Sequence, residues 1–185
     1  MTQEILTDAE KRMRRTCEVL ERELAGIRTG RASPTLIEDL RIEYYGTPTP
    51  LKQLATISAP EPRLLVVQPY DRSLTGAIEK AILQTDLGLS PAADGQALRI
   101  PIPQMTEERR REMSRLVRSK AEDERVAVRN VRRDAMDHLR RLQRNKEISE
   151  DEERRAADRL QKITDQHTGQ IDQMGAAKEA AVMEV

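Results

Sequence analysis

The feature that most constrains the fold is a helical pattern that continues without interruption from Thr106 to Asn145. Apolar or small side chains recur every three or four residues, so they lie in one stripe along a helix that turns by about 100° per residue. The stripe consists of Met113, Val117, Ala121, Val128, Val131, Ala135, Leu139 and Leu142. At about 1.5 Å per residue this helix is about 60 Å long, and we expect it to bury one face along its length.

The composition favours long helices over one compact core. Of the 185 residues, 35% are charged and 2% are aromatic, and neither Trp nor Phe occurs. A compact core is hard to fill without aromatic rings, whereas helices that bury narrow stripes need less apolar area. Residues 1–29 and 149–185 supply two more amphipathic helices, the second beginning at a capping box of Ser149 and Glu152. The three helices predict an antiparallel bundle.

The segment between the first two helices, residues 35–105, is rich in Pro and Gly and lacks the helical period. Apolar and polar residues alternate in residues 40–44 and 98–102, and residues 64–67 form an apolar run, so strands are predicted at all three places. Pro101 and Pro103 favour an edge position for the last strand. A helix is predicted from Ser73 to about Thr85, and a turn or loop tip at residues 46–50.

The predicted fold class is therefore α+β: an elongated antiparallel three-helix bundle with an inserted small β/α/β domain. The predicted domains are residues 1–30 with 105–185 for the bundle, and 31–104 for the insertion. Two short chain crossings restrict relative motion to a hinge, and a bent, two-armed particle is expected. Gly30 is expected to end the first helix with a positive φ angle. The predicted hinge residues are Gly30, Arg31, Ala32, Ser33, Pro103, Gln104 and Met105.

The arginines of the long helix fall in one arc about 100° wide, beside the apolar stripe. They are Arg111, Arg115, Arg118, Arg125, Arg129, Arg132, Arg133 and Arg140. Four acids of this helix lie on a third side, namely Glu112, Asp123, Asp134 and Asp137, whereas Glu122 falls inside the arginine arc. The net charge of the chain is zero, so any affinity for a polyanion has to come from this local segregation. Two interpretations stay open here: a surface for a duplex-like polyanion, or a charge-rich solvated face without a ligand.

Candidates for catalysis and metal binding are weak. His138 and His167 lie on different helices, and Cys17 lies in the stripe of the first helix, where packing is its expected role. The acidic run at residues 150–153 is expected to complement a helix N-terminus rather than to hold a metal. Glu124, inside the apolar stripe, is expected to form a salt bridge to another helix. We therefore predict no enzyme activity, no cofactor and no metal.

The cellular setting is predicted from absences. A single cysteine suits a reducing compartment. The sequence has no apolar run near 18 residues and no signal segment, so a cytoplasmic protein without a membrane partner is expected.

Several motifs together resemble the ribosome recycling factor family. Residues 27–34 (IRTGRASP) look like its helix–hinge signature, and residues 44–51 (YYGTPTPL) resemble the loop tip of its second domain. Further similar segments are Asp71-Arg72-Ser73, Glu79-Lys80-Ala81-Ile82, Asp86-Leu87-Gly88-Leu89, residues 126–135 (VAVRNVRRDA) and residues 146–152 (KEISEDE). The resemblance extends almost from end to end. Gln104-Met105 stands where the family commonly has Pro-Leu, which affects the predicted hinge.

The resemblance implies a function and a set of partners. Such a protein is an L-shaped monomer that binds the large ribosomal subunit and its rRNA after termination. With elongation factor G, and with GTP hydrolysis by that partner, it splits the ribosome into subunits. Arg132 matches the family's rRNA contact, and Arg28 and Arg31 match basic positions near the hinge. Together with the arginine arc, the predicted rRNA-binding residues are Arg132, Arg129, Arg133, Arg125, Arg118, Arg28 and Arg31.

Without the resemblance, two other classes of function remain open. One is a helical scaffold whose arginines pair with an acidic protein, and the other is a general RNA chaperone.

Overall fold

The computed structural model describes residues 1–184 and divides into two compact units. One unit joins Met1–Thr29 to Glu107–Val185, and the other is Gly30–Thr106. Val185, which the predicted bundle domain includes, lies outside the described residues. The helices are α1 (Thr2–Ala25), α2 (Leu51–Leu54), α3 (Thr75–Leu83), α4 (Glu107–Arg144) and α5 (Glu150–Met183). The strands are β1 (Arg41–Tyr44), β2 (Thr47–Pro50), β3 (Ala55–Glu61), β4 (Leu64–Pro69), β5 (Ala92–Asp94) and β6 (Ala97–Pro101).

The first unit is a bundle of α1, α4 and α5. The predicted stripe of α4 is buried from Val117 to Leu142, and only Met113 at its start is half-buried. The core is completed by the stripes of α1 and α5, whose fully buried members include Met13, Leu20, Leu160 and Ile171. The apolar stripes predicted from the sequence are therefore the buried faces of these helices, and each helix buries its stripe against the other two.

Polar contacts along the bundle establish the directions of its helices. Arg12 Nη2 lies 2.9 Å from Asp134 Oδ2, near the start of α1, and Lys120 Nζ lies 3.8 Å from Glu23 Oε2, near its end. Sequence numbers thus rise in α1 as they fall in α4, and the two helices are antiparallel. Arg118 contacts Glu179 and Arg132 contacts Gln161, so α4 and α5 are antiparallel as well.

The predicted capping box at the start of α5 is confirmed. The Ser149 hydroxyl accepts a hydrogen bond from the Glu152 N–H at 3.2 Å, and the Glu152 carboxylate accepts one from the Ser149 N–H at 2.8 Å. These bonds satisfy two N–H groups that a helix start otherwise leaves unpaired. They also lower the pKa of Glu152, mainly through the bond from the Ser149 backbone.

The end of α1 differs from the prediction. The helix ends at Ala25 rather than at Gly30, because Gly26 weakens the helix and the Ile27 N–H bonds back to the Leu24 carbonyl in a tighter turn. Ile27 remains buried beyond the helix end. Gly30 does adopt the expected positive φ, +78°, but it does so in the segment that follows the helix.

The second unit contains a four-stranded antiparallel sheet in the order β3-β4-β6-β5 and a separate hairpin, β1-β2. Leu65 and Val67 of β4 pair with Ile100 and Leu98 of β6, and these four side chains are fully buried. Ile78 of α3 belongs to the same hydrophobic core. The strands predicted at residues 40–44, 64–67 and 98–102 are thus present, whereas β2, β3 and β5 were not predicted.

The predicted edge position of the last strand is wrong. β6 lies between β4 and β5, and β5 has only three residues, which pair with residues 97–99. Pro101 lies past the end of this short ladder, so it needs no N–H for a bond to β5. A proline at the end of an internal strand is tolerated for that reason.

The turn or loop tip predicted at residues 46–50 is present at Gly46, but the prediction is wrong for residues 47–50. Thr47–Pro50 forms β2, in register with β1 from Thr47 opposite Tyr44 to Pro50 opposite Arg41. The turn consists of Tyr45 and Gly46, whose φ angles are +48° and +76°. Two residues with positive φ make a tight hairpin that matches the twist of paired strands, so the prolines after the turn can lie in a strand.

Both segments that lead out of the second unit are held by one turn between β3 and β4. The Ala32 N–H donates to the Pro62 carbonyl at 2.7 Å, and the Ile102 N–H donates to the Arg63 carbonyl at 2.8 Å. No helix among residues 1–184 is long and apolar enough to cross a membrane.

Candidate nucleic-acid interface

A polar groove of about 430 Å³ runs between α4 and α5. Three arginines from the predicted set line its α4 side: Arg125, Arg129 and Arg132. The α5 side is lined by Gln161, Thr164, Asp165, Thr168 and Asp172. The groove exists because the arginine arc borders the buried stripe of α4, and so it follows the seam where α5 packs.

Arg118 and Arg125 are bound by carboxylates of α5. Arg125 Nε donates to Asp172 Oδ1 at 2.7 Å, and Arg118 Nε donates to Glu179 Oε1 at 2.8 Å. Both hydrogen bonds raise the pKa of the arginine concerned. The bond from Arg118, followed by one from the Ser114 hydroxyl, lowers the pKa of Glu179. These two guanidinium groups thus contribute to packing α5 on α4.

Glu122, the acid inside the arginine arc, is shared by two arginines. Its carboxylate accepts from Arg125 at 2.8 Å and from Arg129 at 3.3 Å. The bond from Arg125 is the main reason that the pKa of Glu122 is lowered, so this residue is ionised at neutral pH. Arg129 is therefore only weakly neutralised, through a long and solvent-exposed contact.

Arg132 and Arg133 carry charge that no carboxylate offsets. Arg132 Nη1 donates to the neutral Gln161 amide at 3.2 Å, and Gln161 in turn donates to Asp165 at 2.8 Å. Arg133 is exposed, and within residues 1–184 neither arginine has a carboxylate oxygen within 4.0 Å. At the groove and beside it, the cationic part of the predicted arc is thus Arg129, Arg132 and Arg133. Arg115, nearer the start of α4, is exposed and also has no ion pair within residues 1–184.

The remaining predicted residues lie elsewhere. Arg28 is half-buried beyond the end of α1, and Arg31 is exposed at the start of the second unit; neither lines the groove. The α5 side of the groove was not among the residues predicted from the sequence. Its signal was the spacing of Gln161, Thr164, Asp165, Thr168 and Asp172, which places these polar residues on one side of a helix next to the apolar stripe.

The cysteine and the two histidines, which were weak candidates for catalysis or metal binding, do not lie together in a site. Cys17 is buried, and burial is the main reason that its pKa is raised. His167 is buried with Nδ1 at 2.7 Å from the Ile163 carbonyl, whereas His138 is exposed. Within residues 1–184 no cluster of three metal-ligating side chains is present.

The expected salt bridge of Glu124 is wrong. Among the described residues it has no ion pair, and the pKa of Glu124 is raised by burial and by the charges of Glu23 and Asp123. Lys120, one turn earlier on α4, makes the contact to α1 by pairing with Glu23. The carboxylate of Glu124 is therefore held in an unfavourable environment.

The fold and the groove define a class: a protein with a long three-helix bundle, a cationic seam and an inserted sheet domain. The family model described as ribosome recycling factor matches residues 20–183. The ribosome-recycling factor of Thermomicrobium roseum is 56% identical over 185 residues, covering 100% of both chains, and that of Symbiobacterium thermophilum is 51% identical with the same coverage. The chain belongs to the ribosome recycling factor family, as its motifs indicated.

Solved structures agree with this membership. The solution structure of a ribosome recycling factor has a TM-score of 0.78 and 44% identity, over 100% of this chain and 98% of the other. A second structure contains the T. thermophilus ribosome recycling factor, together with E. coli elongation factor G, bound to the E. coli post-termination complex. Its recycling factor has a TM-score of 0.68 and 48% identity, with 100% of each chain covered.

Proposed function

We propose that this protein recycles ribosomes after termination: it binds the large subunit through rRNA and, with elongation factor G, promotes dissociation into subunits and release from mRNA. The observation that carries this proposal is the relative bound to a post-termination complex with elongation factor G, which matches the whole chain at 48% identity. GTP hydrolysis belongs to the elongation factor, and this protein acts as a monomer without a cofactor.

In this proposal the rRNA contact is centred on Arg132, with Arg129 and Arg133 beside it. The uncompensated charge of Arg132 and Arg133 supports this choice, because a guanidinium group without a carboxylate partner can bind a phosphate without first breaking an ion pair. Arg118 and Arg125 are proposed as secondary rRNA contacts, because each is already hydrogen-bonded to a carboxylate of α5. Contacts to phosphate carry little sequence information, so the shape of folded rRNA supplies the specificity.

Arg28 and Arg31 are proposed as further rRNA contacts near the hinge. The hinge itself consists of Gly30, Arg31, Ala32, Ser33, Pro103, Gln104 and Met105. Ala32 and the residue before Pro103, Ile102, are both hydrogen-bonded to the turn between β3 and β4. This supports a hinge that bends at Gly30, Arg31 and residues 103–105, while the bond at Ala32 keeps Ala32 and Ser33 attached to the insertion. The insertion then moves as one body when elongation factor G pushes on it.

The test compares the affinity of the protein for intact ribosomes, for isolated large subunits and for free rRNA across a salt series. We expect tight binding to ribosomes and large subunits, weakening steeply with salt, and much weaker binding to free rRNA. Equal affinity for free RNA would indicate an RNA chaperone. Binding to an acidic protein, with no affinity for ribosomes, would indicate a helical scaffold.

A further inference from the structure

A cleft with an apolar floor lies on the side of the bundle where α1 packs against α4. Its volume is about 390 Å³, and none of the residues that line it lines the arginine groove between α4 and α5. The floor consists of Ile5 and Ala9 of α1 together with Ala135 and Leu142 of α4. These four residues are buried members of the apolar stripes of their helices, and here they border a space that the bundle does not fill.

The cleft is open because two residues of its floor are small. Ala9 lies one turn after Ile5 on α1, and Ala135 lies two turns before Leu142 on α4, so each pair occupies one face of its helix. An alanine side chain ends at Cβ and leaves the space between the larger residues unfilled. Clefts of about 300–1,000 Å³ with an apolar lining and a few polar groups are typical binding sites for small molecules.

The rim of the cleft has more carboxylates than cations. Glu4, Asp8 and Asp134 line it, together with the Arg12 guanidinium group. Arg12 donates a hydrogen bond to Asp134 at 2.9 Å, and the Met1 amino group lies 3.9 Å from Glu4. Asp8 is exposed, and within residues 1–184 its carboxylate has neither an ion pair nor a hydrogen bond. One carboxylate that lines the cleft is therefore left without a cationic partner.

Other cations close to these carboxylates in the sequence lie outside the cleft. Lys11 and Arg15 of α1 and Arg141 of α4 are exposed, and none of them lines it. With His138 neutral, the three carboxylates and the two cationic groups that line the cleft have a net charge of −1. A charge of this sign repels a phosphate group and attracts a cation, which is the opposite of the arginine groove.

We propose that the cleft between α1 and α4 binds a small organic cation, whose apolar body covers the floor and whose amine lies next to Asp8. Binding removes the apolar body and the floor from water, while the charged amine stays at the rim beside a carboxylate. The size of the cleft favours a small molecule over a protein partner. Ten residues line it, whereas each side of a standard protein–protein interface has about 20–30.

NMR titration of the free full-length protein tests the site with two probes of similar shape and opposite charge, 4-phenylbutylamine and 4-phenylbutyrate. At neutral pH and fixed salt concentration, we expect the amine to shift the amide signals of Ala9 and Ala135 saturably. A Kd on the order of 1 mM is expected for a molecule of this size. The carboxylate should bind at least about fivefold more weakly. Equal affinity for the two probes, shifts confined to other parts of the protein, or shifts that do not saturate would overturn the proposal.

Asp8→Asn separates the charge of the rim from the shape of the cleft, because Asn has nearly the same size as Asp. We expect this variant to bind the amine about fivefold more weakly than the parent does. Glu21→Gln is the matched control, since Glu21 is an exposed acid of α1 that does not line the cleft, and it should leave the affinity within about twofold. An Asp8→Asn variant that binds the amine as tightly as the parent would refute the inference. The titration contains no ribosomes, so its outcome is independent of the proposed function.

Discussion

At the scale of single residues, the arginine arc of α4 contains side chains in two different situations. Arg118 and Arg125 are hydrogen-bonded to carboxylates of α5, whereas Arg132 has only a neutral amide partner within the described residues. The periodic pattern of the sequence does not distinguish these positions, because all of them fall in the same arc. Their different partners imply that substitutions along one face will affect different properties of the protein.

Arg132→Ala is expected to weaken binding to the large subunit and to flatten the salt dependence of binding by about one unit of slope, because one phosphate contact is lost. The measurement is the large-subunit Kd at several salt concentrations. Arg125→Ala is the matched control. Arg125 is 27% exposed, but its carboxylate partners Glu122 and Asp172 are more than half exposed, so its loss should lower the free energy of unfolding by about 1 kcal/mol and change the salt slope less than Arg132→Ala does. Unchanged affinity and slope for Arg132→Ala would remove this residue from the contact.

Glu124→Gln is expected to stabilise the protein at neutral pH. Burial and the charges of Glu23 and Asp123 raise the pKa of Glu124 in the folded state, so its ionised form disfavours folding. The penalty is fully present above the folded pKa and disappears as pH falls below the unfolded value near 4.5. Thermal unfolding should show Tm higher by about 1 °C at pH 7, and no difference in acid. A variant that is less stable than the parent at pH 7 would contradict this explanation.

At the scale of elements, the residues with positive φ angles lie in the connections between helices and strands. Gly30 has a φ angle of +78°, and a Cβ there would lie 3.7 Å from Met105 Cε, which is ordinary contact. A side chain would therefore fit in the space available but not in the backbone conformation. The constraint at this position is conformational rather than steric.

Gly30→Val is expected to retain ribosome binding and to split ribosomes poorly, because a β-branched residue resists the left-handed region by about 1–2 kcal/mol. The measurements are ribosome pelleting and light scattering during splitting. Gly76→Val in α3 is the control, since Gly76 has no positive φ and no atom within 4 Å of its Cβ position. Normal splitting by Gly30→Val would show that the geometry at this residue is not limiting.

At the scale of the whole molecule, each unit has its own core. Met13, Leu20, Leu139 and Leu160 are fully buried in the bundle, and Leu65 is fully buried in the inserted unit. The bundle should therefore fold when the insertion is removed, because its three stripes bury one another. The insertion carries 7 Lys or Arg and 8 Asp or Glu over residues 30–105, which makes it a poor anchor on RNA.

Replacement of residues 32–104 by a short flexible linker should leave large-subunit affinity within about tenfold of the parent, or about 1.4 kcal/mol. The shortened protein should not split ribosomes with elongation factor G and GTP. Circular dichroism establishes whether the bundle has folded. A folded bundle that has lost all ribosome binding would make the insertion an anchor and reverse the proposed roles.

The parts of the fold that are determined by residues close together in the sequence could be predicted from the sequence. The long helices follow from the spacing of residues such as Val117 and Leu139, and the start of α5 follows from Ser149 and Glu152. The periods of a helix and of a strand are local, so each pattern can be recognised before the chain folds. The β1-β2 hairpin could not be recognised in this way, because Pro48 and Pro50 indicated a loop. The backbone of Tyr45 and Gly46 decided its turn instead.

Which arginines of α4 are paired with carboxylates of α5, and which are not, is determined only by the tertiary structure. Asp172 is 47 positions from Arg125, and Glu179 is 61 positions from Arg118. Whether such pairs form depends on how α5 is aligned along α4, and that alignment is determined by packing of the buried stripes rather than by the charged residues themselves. The sequence by itself determined that one side of α4 is rich in arginine. The packing of α5 pairs Arg118 and Arg125 with its carboxylates and leaves Arg132 and Arg133 without one among the described residues, because a Coulomb interaction depends on distance in space and not on distance along the chain.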